Sequence, residues 1–393
     1  LSKTLTDKLT KIEKKEQGIF FTPPKTIVNM ITKVKSVSSL FQDILEPSCG
    51  SCEFINYLKT YFPTSNITGI ELNKLIFDSI KDKQISNVTL LNEDFIKYKD
   101  SHKYNLIIGN PPFYVMKKHE APNDYHEYFD GRPNIFLLFV IKSLKMLKNN
   151  GILSFVLPRN FINCLYYDKT RQFIDKNFKI HFIENCDDEY IDTKQDTIIM
   201  IIQKHDNPDN SNFTLKVSDY TIFGTTDNIK KLKTYYSNYK TLNELNFRVN
   251  VGNVVWNQCK SILTDDNLKT RLIYSGDIVD INLVKQYKNK DKKNFIDKDG
   301  ETGPLLVMNR GYGVGQYKFE YSLINIDKEY LIENHLICIR YKDSINDSEL
   351  IKKYKKIMKS LSNKKTQEFI KTYFGNNAIN TTEINYILPI FNN

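Results

Sequence analysis

The sequence predicts an α/β protein, with a mainly parallel, doubly wound sheet followed by a smaller domain of mixed α+β character. Three observations carry that expectation. Between about residues 20 and 205, short apolar runs alternate with amphipathic stretches, the pattern of a sheet covered by helices on both faces. The alternation stops at His205–Ser211, where Asp206-Asn207-Pro208-Asp209-Asn210 is pure turn chemistry. Beyond it, short strand-like pieces (Thr270–Ile273, Leu305–Met308, Leu336–Ile339) mix with glycines and a Lys-rich run, Lys352–Lys365, that reads as helical. A length of 393 residues suits two domains of roughly 150 residues or more each. The expected domains are 1–210 and 211–393, with no internal repeat.

Taken in order, Ile44-Leu45-Glu46-Pro47 reads as a strand end, followed by a glycine-containing turn and a helix from about Glu53 to Tyr61. A second strand, Ile67 to Leu72, closes on the acidic Glu71. A third, Val88 to about Leu91, leads into Asn92-Glu93-Asp94-Phe95, and a fourth, Leu106-Ile107-Ile108, runs into Asn110-Pro111-Pro112-Phe113. The helix Ile135–Leu147 is expected to place Phe136, Phe139, Leu144 and Leu147 on one face. Strands at Ile152–Leu157, about Ile180–Ile183 and Ile198–Ile202 complete the sheet. Tyr114 to Pro133 is polar, without clear periodicity, and long for a connection inside such a core, so it is expected to be a mobile loop.

Composition narrows the function classes. No apolar run approaches the ~18 residues of a bilayer span, and Leu1 to Gly18 lacks the apolar core of a signal peptide. Membrane and secreted proteins are therefore not expected. Six cysteines in a chain this long make no disulfide framework, which points to a reducing, cytoplasmic location. The net charge of +10 is uneven: residues 1–210 hold 28 Lys+Arg against 26 Asp+Glu, and residues 211–393 hold 28 against 20. A near-neutral first half and a basic second half suit catalysis in one and polyanion contact in the other. The abundance of Lys, Asn, Ile and Tyr is also what an AT-rich genome gives, so charge alone favours nucleic acid only weakly.

The residues with chemistry to offer fall at strand ends, where open α/β sheets bind ligands. In Asn110-Pro111-Pro112-Phe113, two prolines fix φ and remove both backbone donors, leaving their carbonyls to accept hydrogen bonds. Asn110 adds an acceptor and Phe113 a flat apolar face, which together suit an exocyclic amine whose ring is stacked; the bland reading is a tight post-strand turn. Gly50 in Glu46–Cys52 lets backbone approach a ligand at a helix start, but the run departs from the Gly-x-Gly-x-x-Gly fingerprint. Cys49 and Cys52 read as packing residues rather than a redox pair or half a metal site, and no metal is expected. Glu71 stands where an acidic residue grips the hydroxyls of a ribose. Asp94-Phe95 can bond an adenine amine and cover its ring. Alone, each is more often a solvated strand end; together they describe an adenosine-containing cofactor beside an amine pocket.

At this point the chain resembles the gamma-class, TaqI-like N6-adenine DNA methyltransferases. The resemblance covers about residues 17–205: Gln17-Gly18-Ile19-Phe20-Phe21-Thr22-Pro23-Pro24, then Glu46–Phe54, Glu71, Asp94-Phe95 and Asn110–Phe113, in the family's order. It implies a Rossmann-like class I methyltransferase sheet with S-adenosyl-L-methionine as cofactor. Thr22, Glu46, Pro47, Cys49 and Gly50 would surround the methionine part, Glu71 would hold the ribose, and Asp94 and Phe95 the adenine. Asn110 and the Pro111 carbonyl would accept hydrogen bonds from N6 of the target base, and Phe113 would stack on it. Tyr190, in Glu189-Tyr190-Ile191-Asp192, looks like a second aromatic wall. Many members carry Tyr where Phe113 stands, and both stack. The second half resembles a target-recognition domain more loosely, through Val254-Val255-Trp256-Asn257-Gln258, Asn309-Arg310-Gly311-Tyr312-Gly313 and Ile387-Leu388-Pro389-Ile390. Arg310 beside Gly311, Gly313 and Gly315 would approach the DNA backbone, unless this is simply a turn between strands. The Lys352–Lys365 run would reach phosphates or be a solvated helix face.

The expected activity is methyl transfer from S-adenosyl-L-methionine to N6 of an adenine flipped out of double-stranded DNA, as the modification part of a restriction-modification system. A monomer is expected, with any cognate restriction endonuclease acting separately, since only about twenty residues precede the first motif. RNA-adenine and protein-glutamine methyltransferases share Asn-Pro-Pro-aromatic motifs but usually place their extra domain first. A non-catalytic DNA-recognition subunit is the remaining alternative.

Overall fold

A computed structural model of the protein describes residues 22–82, 85–186, 196–206, 208–279, 281–284, 292–310, 319–373 and 379–391. The chain forms two compact units, 1–230 and 231–393.

In the first unit, seven strands make one sheet: β1 (Asp43–Glu46), β2 (Asn66–Ile70), β3 (Val88–Leu91), β4 (Tyr104–Gly109), β5 (Leu147–Pro158), β6 (Phe178–Asn185) and β7 (Thr197–Lys204). Their order is β3-β2-β1-β4-β5-β7-β6. β1 pairs parallel with β2 and β4, and only β7 runs antiparallel to its neighbours. This is the Rossmann-like sheet expected of a class I methyltransferase. Strand order reverses between β1 and β4, which opens a crevice beyond their carboxyl ends.

The helices follow from their apolar spacing and caps. α1 (Pro24–Val37) opens with proline, whose missing N–H costs nothing at a first turn, and buries Ile27, Met30, Ile31 and Val34. α2 (Glu53–Tyr61) buries Phe54, Ile55 and Leu58. In α3 (Lys74–Ile80) the Asn73 side chain accepts the Ile76 N–H at 3.1 Å. α4 (Ile135–Met146) departs from the one-faced helix expected. Every residue of it is buried except Lys142 and Lys145, because it is sealed into the core, and Leu147 already begins β5.

Two stretches that look like connections in sequence carry structure of their own. The polar stretch between Tyr114 and Pro133 folds into two 3-10 turns, Lys118–Glu120 and Asn123–Tyr128. Its ends are tied by the Val115↔Asn134 bridge and by the Met116 N–H to the Pro133 carbonyl at 3.0 Å, while Phe129 is sunk in the core. Secondly, the first unit runs beyond residue 210. Asn210 is buried and its side chain accepts the Ile180 N–H at 2.7 Å, pinning β6 rather than starting a linker. The hairpin of β8 (Thr214–Val217) and β9 (Tyr220–Phe223) is bolted to α5 (Asp168–Asn177). The bolt is Arg171, 0% exposed, which donates to the carbonyls of Thr221, Phe161 and Cys164 while Asp168 accepts the Thr221 N–H.

α6 (Thr226–Asn238) carries the chain into the second unit. There, one antiparallel sheet has the order Phe247–Val251, Leu336–Tyr341, Leu305–Asn309, Tyr321–Ile324, and another is built on Thr270–Ile273. The expected Lys-rich helix is two helices, α7 (Asp347–Leu361) and α8 (Lys364–Tyr373), broken at Ser362-Asn363. Among the described residues, no helix is long and apolar enough to cross a membrane.

Candidate active site

The turn after β1 is shaped by its backbone. Gly50 (φ 51°) and Cys52 (φ 70°) are left-handed, and the Cys49 N–H donates to the Ile70 carbonyl at 2.8 Å, laying the turn on β2. Gly69 permits that approach: a Cβ there would stand 2.6 Å from Ile55 Cδ1 and 3.2 Å from Cys49 Sγ. The Cys49 thiol therefore packs into the apolar cluster that also holds Ile55, and its titration is pushed well up, first by its hydrogen bond with Cys52 and then by burial.

At the end of β2, Glu71 is 8% exposed. Its Oε2 accepts the Gly50 N–H at 2.9 Å and its Oε1 the Asn73 N–H at 2.7 Å, so one carboxylate joins the turn after β1 to the start of α3. Burial raises its pKa, and those two backbone donors pull it back. After β3, Asp94 Oδ1 accepts the Ile96 N–H at 2.9 Å. The Phe95 ring is 2% exposed and lies 5.0 Å from that of Phe139. After β4, Asn110 donates from Nδ2 to Thr22 Oγ1 at 3.1 Å, and its carbonyl accepts the Ser48 hydroxyl at 3.1 Å.

These strand ends enclose a cavity of about 350 Å³. Its lining includes the polar Glu71, Asp94 and Asn110, the apolar Leu72, Tyr114, Ile135, Leu138 and Phe139, and Pro47, Gly50 and Pro112. A smaller recess of about 40 Å³ is lined by Thr22, Glu46, Cys49, Gly50, Ser51 and Asn110 among others. Glu46 is 2% exposed, and among the described residues its Oε2 has no hydrogen-bond partner. Burial first, then the neighbouring Cys52, Glu53 and Glu71, hold its pKa well above the ordinary carboxylate value.

Of the residues expected from sequence, Thr22, Glu46, Pro47, Cys49, Gly50, Glu71, Asp94, Phe95, Asn110 and Pro112 all line these two recesses. Pro111 is buried and Phe113 half-buried, edge-on to Phe136 at 6.1 Å; neither lines a recess. Arg310 is exposed at the end of Leu305–Asn309 in the second unit. Tyr190, the start of the first motif (17–21) and the glycines of 311–318 lie outside the described residues. Sequence reading missed the apolar walls and Lys142, the latter visible as one of two charges in an otherwise apolar helix. Leu72, 64% exposed directly after Glu71, is the other signal available.

Residues 17–191 match the family model described as Eco57I restriction-modification methylase. The chain is similar to modification methylase CviBIII of Paramecium bursaria Chlorella virus NC1A, 29% identical over 356 residues that cover 86% of each chain. It is also similar to type II methyltransferase M.CvrRI of Paramecium bursaria Chlorella virus XZ-6E, 25% identical over 98% of this chain and 96% of that one. The solved structure of the type IIG restriction endonuclease BpuSI superposes with a TM-score of 0.46 at 10% identity, over 95% of this chain and 59% of the other.

Proposed function

We propose that the protein is a DNA methyltransferase that transfers a methyl group from S-adenosyl-L-methionine to N6 of an adenine flipped out of double-stranded DNA, as the modification arm of a restriction-modification system. Residues 1–230 would be the catalytic part and the basic remainder the part that recognises DNA. The observation that supports this most is the placement of Asn110-Pro111-Pro112-Phe113 at the end of β4, at the strand-order reversal, with Asn110 and Pro112 on the wall of the cavity that Glu71 and Asp94 also line. The relatives' names, modification methylase and type II methyltransferase, agree with it.

The residues present fit the cofactor. Glu71 and Asp94 supply acceptors for a ribose and an adenine amine, and Leu72, Leu138 and Phe139 an apolar bed for the ring. Glu46 Oε2, a carboxylic oxygen with no hydrogen-bond partner among the described residues, belongs to the lining of the small recess, where a cationic group would compensate it. When bound, the cofactor supplies an electrophilic methyl on a sulfonium. The amine it meets is a weak nucleophile, its lone pair spread into the ring. Asn110 and the Pro111 carbonyl, accepting from the two N6 hydrogens, favour the pyramidal, positively charged nitrogen of the transition state. Thr22 holds the Asn110 amide in that orientation. Extruding the base costs a few kcal/mol, offset by stacking on Phe113 and by contacts to the DNA backbone.

The test is transfer of labelled methyl to unmethylated duplex DNA, with products identified as nucleosides by mass. N6-methyladenine is expected, reduced ~10²–10³-fold or more in Asn110→Ala. Label in RNA or protein would reassign the substrate, and cofactor binding without transfer would make the chain a recognition subunit.

A further inference from the structure

Lys142 is placed where no solvated lysine would be. It sits on α4 among buried neighbours, and burial pulls its pKa down while the charge of Asp94 works the other way. Its ammonium donates to three carbonyls of one short turn: those of Phe95, of Ile96 at 3.1 Å, and of Tyr98. It also lies 4.9 Å from the centroid of the Phe95 ring and 5.9 Å from that of Tyr98. An ammonium has three N–H donors, and here three carbonyls converge on it. A planar guanidinium presents its donors as a fork and cannot reproduce that tripod.

The turn so held is the wall of the cavity. Asp94, Phe95 and Ile96 all line it, and Asp94 is itself fixed by the Ile96 N–H. On the reading that this cavity takes the adenosine half of S-adenosyl-L-methionine, we propose that Lys142 is a positioning residue for adenosine recognition. By tying the carbonyls of Phe95, Ile96 and Tyr98 to α4, it holds Asp94 toward the adenine amine and keeps the floor beneath the ring closed. It touches neither the methyl group nor the target base, so it governs cofactor affinity and leaves the transfer step alone.

The experiment measures affinity by calorimetry, well below the unfolding temperature, for the full chain and its Lys142→Met and Lys142→Arg variants. The probes are S-adenosyl-L-methionine and 5′-deoxy-5′-methylthioadenosine, which carries the adenosine half without the amino acid; kcat is taken at saturating cofactor. Lys142→Met is expected to weaken both probes by the same factor, about tenfold or more for the loss of charge-assisted hydrogen bonds, with kcat unchanged. Lys142→Arg should fall between the two, and, keeping the charge, it carries the test if Lys142→Met does not fold. A general structural role would lower the melting temperature without moving either affinity, and that result overturns the proposal. Arginine binding both probes as well as lysine overturns it too, since charge rather than the tripod would then suffice. A wild-type chain that binds neither probe removes the cofactor reading itself, and this proposal with it, a result separable from the others because it needs no variant.

Discussion

The carboxyl edge of the first unit's sheet and the solvent side of α7 in the second unit hold charge in opposite ways. Glu46 and Glu71 are almost wholly buried, each with its protonation pushed up by burial. Lys352, Lys355, Lys356 and Lys359 are exposed at helical spacing, and among the described residues none of them has a carboxylate in ion-pair reach. Buried charges are few, mutually dependent and tied to backbone, so each one decides the geometry of a site. Exposed charges act additively and are screened by salt. Substitutions at the edge should therefore have large, ligand-specific effects, and substitutions on α7 small ones that sum.

The largest effect on cofactor affinity is expected from Glu71→Ala. It removes the acceptor proposed for the ribose and also strands the N–H groups of Gly50 and Asn73, which the carboxylate now joins. Both are part-buried, so each stranded donor costs less than a fully buried one, for which the loss is about 1–3 kcal/mol. Affinity for S-adenosyl-L-methionine should fall by ~100-fold or more, together with a lowered melting temperature. Normal affinity in a calorimetric titration would place the cofactor elsewhere and dissolve the contrast drawn above.

The positions of such residues were legible in the sequence to an uneven degree. The sheet read well where it is buried: Leu106-Ile107-Ile108 of β4 stands out because a buried parallel strand is a continuous apolar run, and Gly109 and Pro111 mark its end. α5 was missed. Its buried face is Asp168, Thr170, Arg171 and Ile174; Arg171 donates to Asp168 and Thr170 to the Tyr128 carbonyl, so a single isoleucine remains and leaves no hydrophobic period to find. The segment 206–210 is harder to read for a related reason: an Asn-rich stretch looks like a linker, while Asn210 spends its amide on β6. At the site, strand-end carboxylates and the Asn-Pro-Pro-Phe run are unusual enough in sequence to stand out. Leu138 and Phe139 are not, since an apolar side chain facing a cavity has the same pattern as one facing the core. In the second unit, short strands from distant stretches pair, as Thr270–Ile273 does with Tyr330–Ile332, and no local pattern announces such pairings.

Glu46 sharpens the contrast through pH. Its folded-state pKa lies well above the ordinary value of 4.5. As pH rises from about that value, the unfolded chain ionises first, so the protein without cofactor loses stability until the folded-state pKa is passed. The slope from this one group is at most about 1.4 kcal/mol per pH unit. Glu46→Gln should flatten the decline in melting temperature with pH and make the protein without cofactor more stable at the alkaline end, while weakening binding of the cationic cofactor. Parallel pH profiles for wild type and variant would place the titration in another group.

The smallest effects are expected on α7, and they test whether its lysines meet phosphates at all. Each phosphate neutralised on duplex DNA contributes about 0.9 to the slope of log K against log salt. Replacing Lys352, Lys355, Lys356 and Lys359 one at a time by Gln should lower the magnitude of that slope by up to about 0.9 per residue engaged, equivalent to about threefold in affinity between 50 and 200 mM salt. The loss should be the same for cognate and scrambled duplexes, because phosphate contacts carry no sequence information. It should also leave cofactor affinity untouched, unlike any change at the sheet edge. A slope unchanged even when all four are replaced would make the stripe an ordinary solvated face, and the excess positive charge of the second half would then have to act through other lysines or arginines.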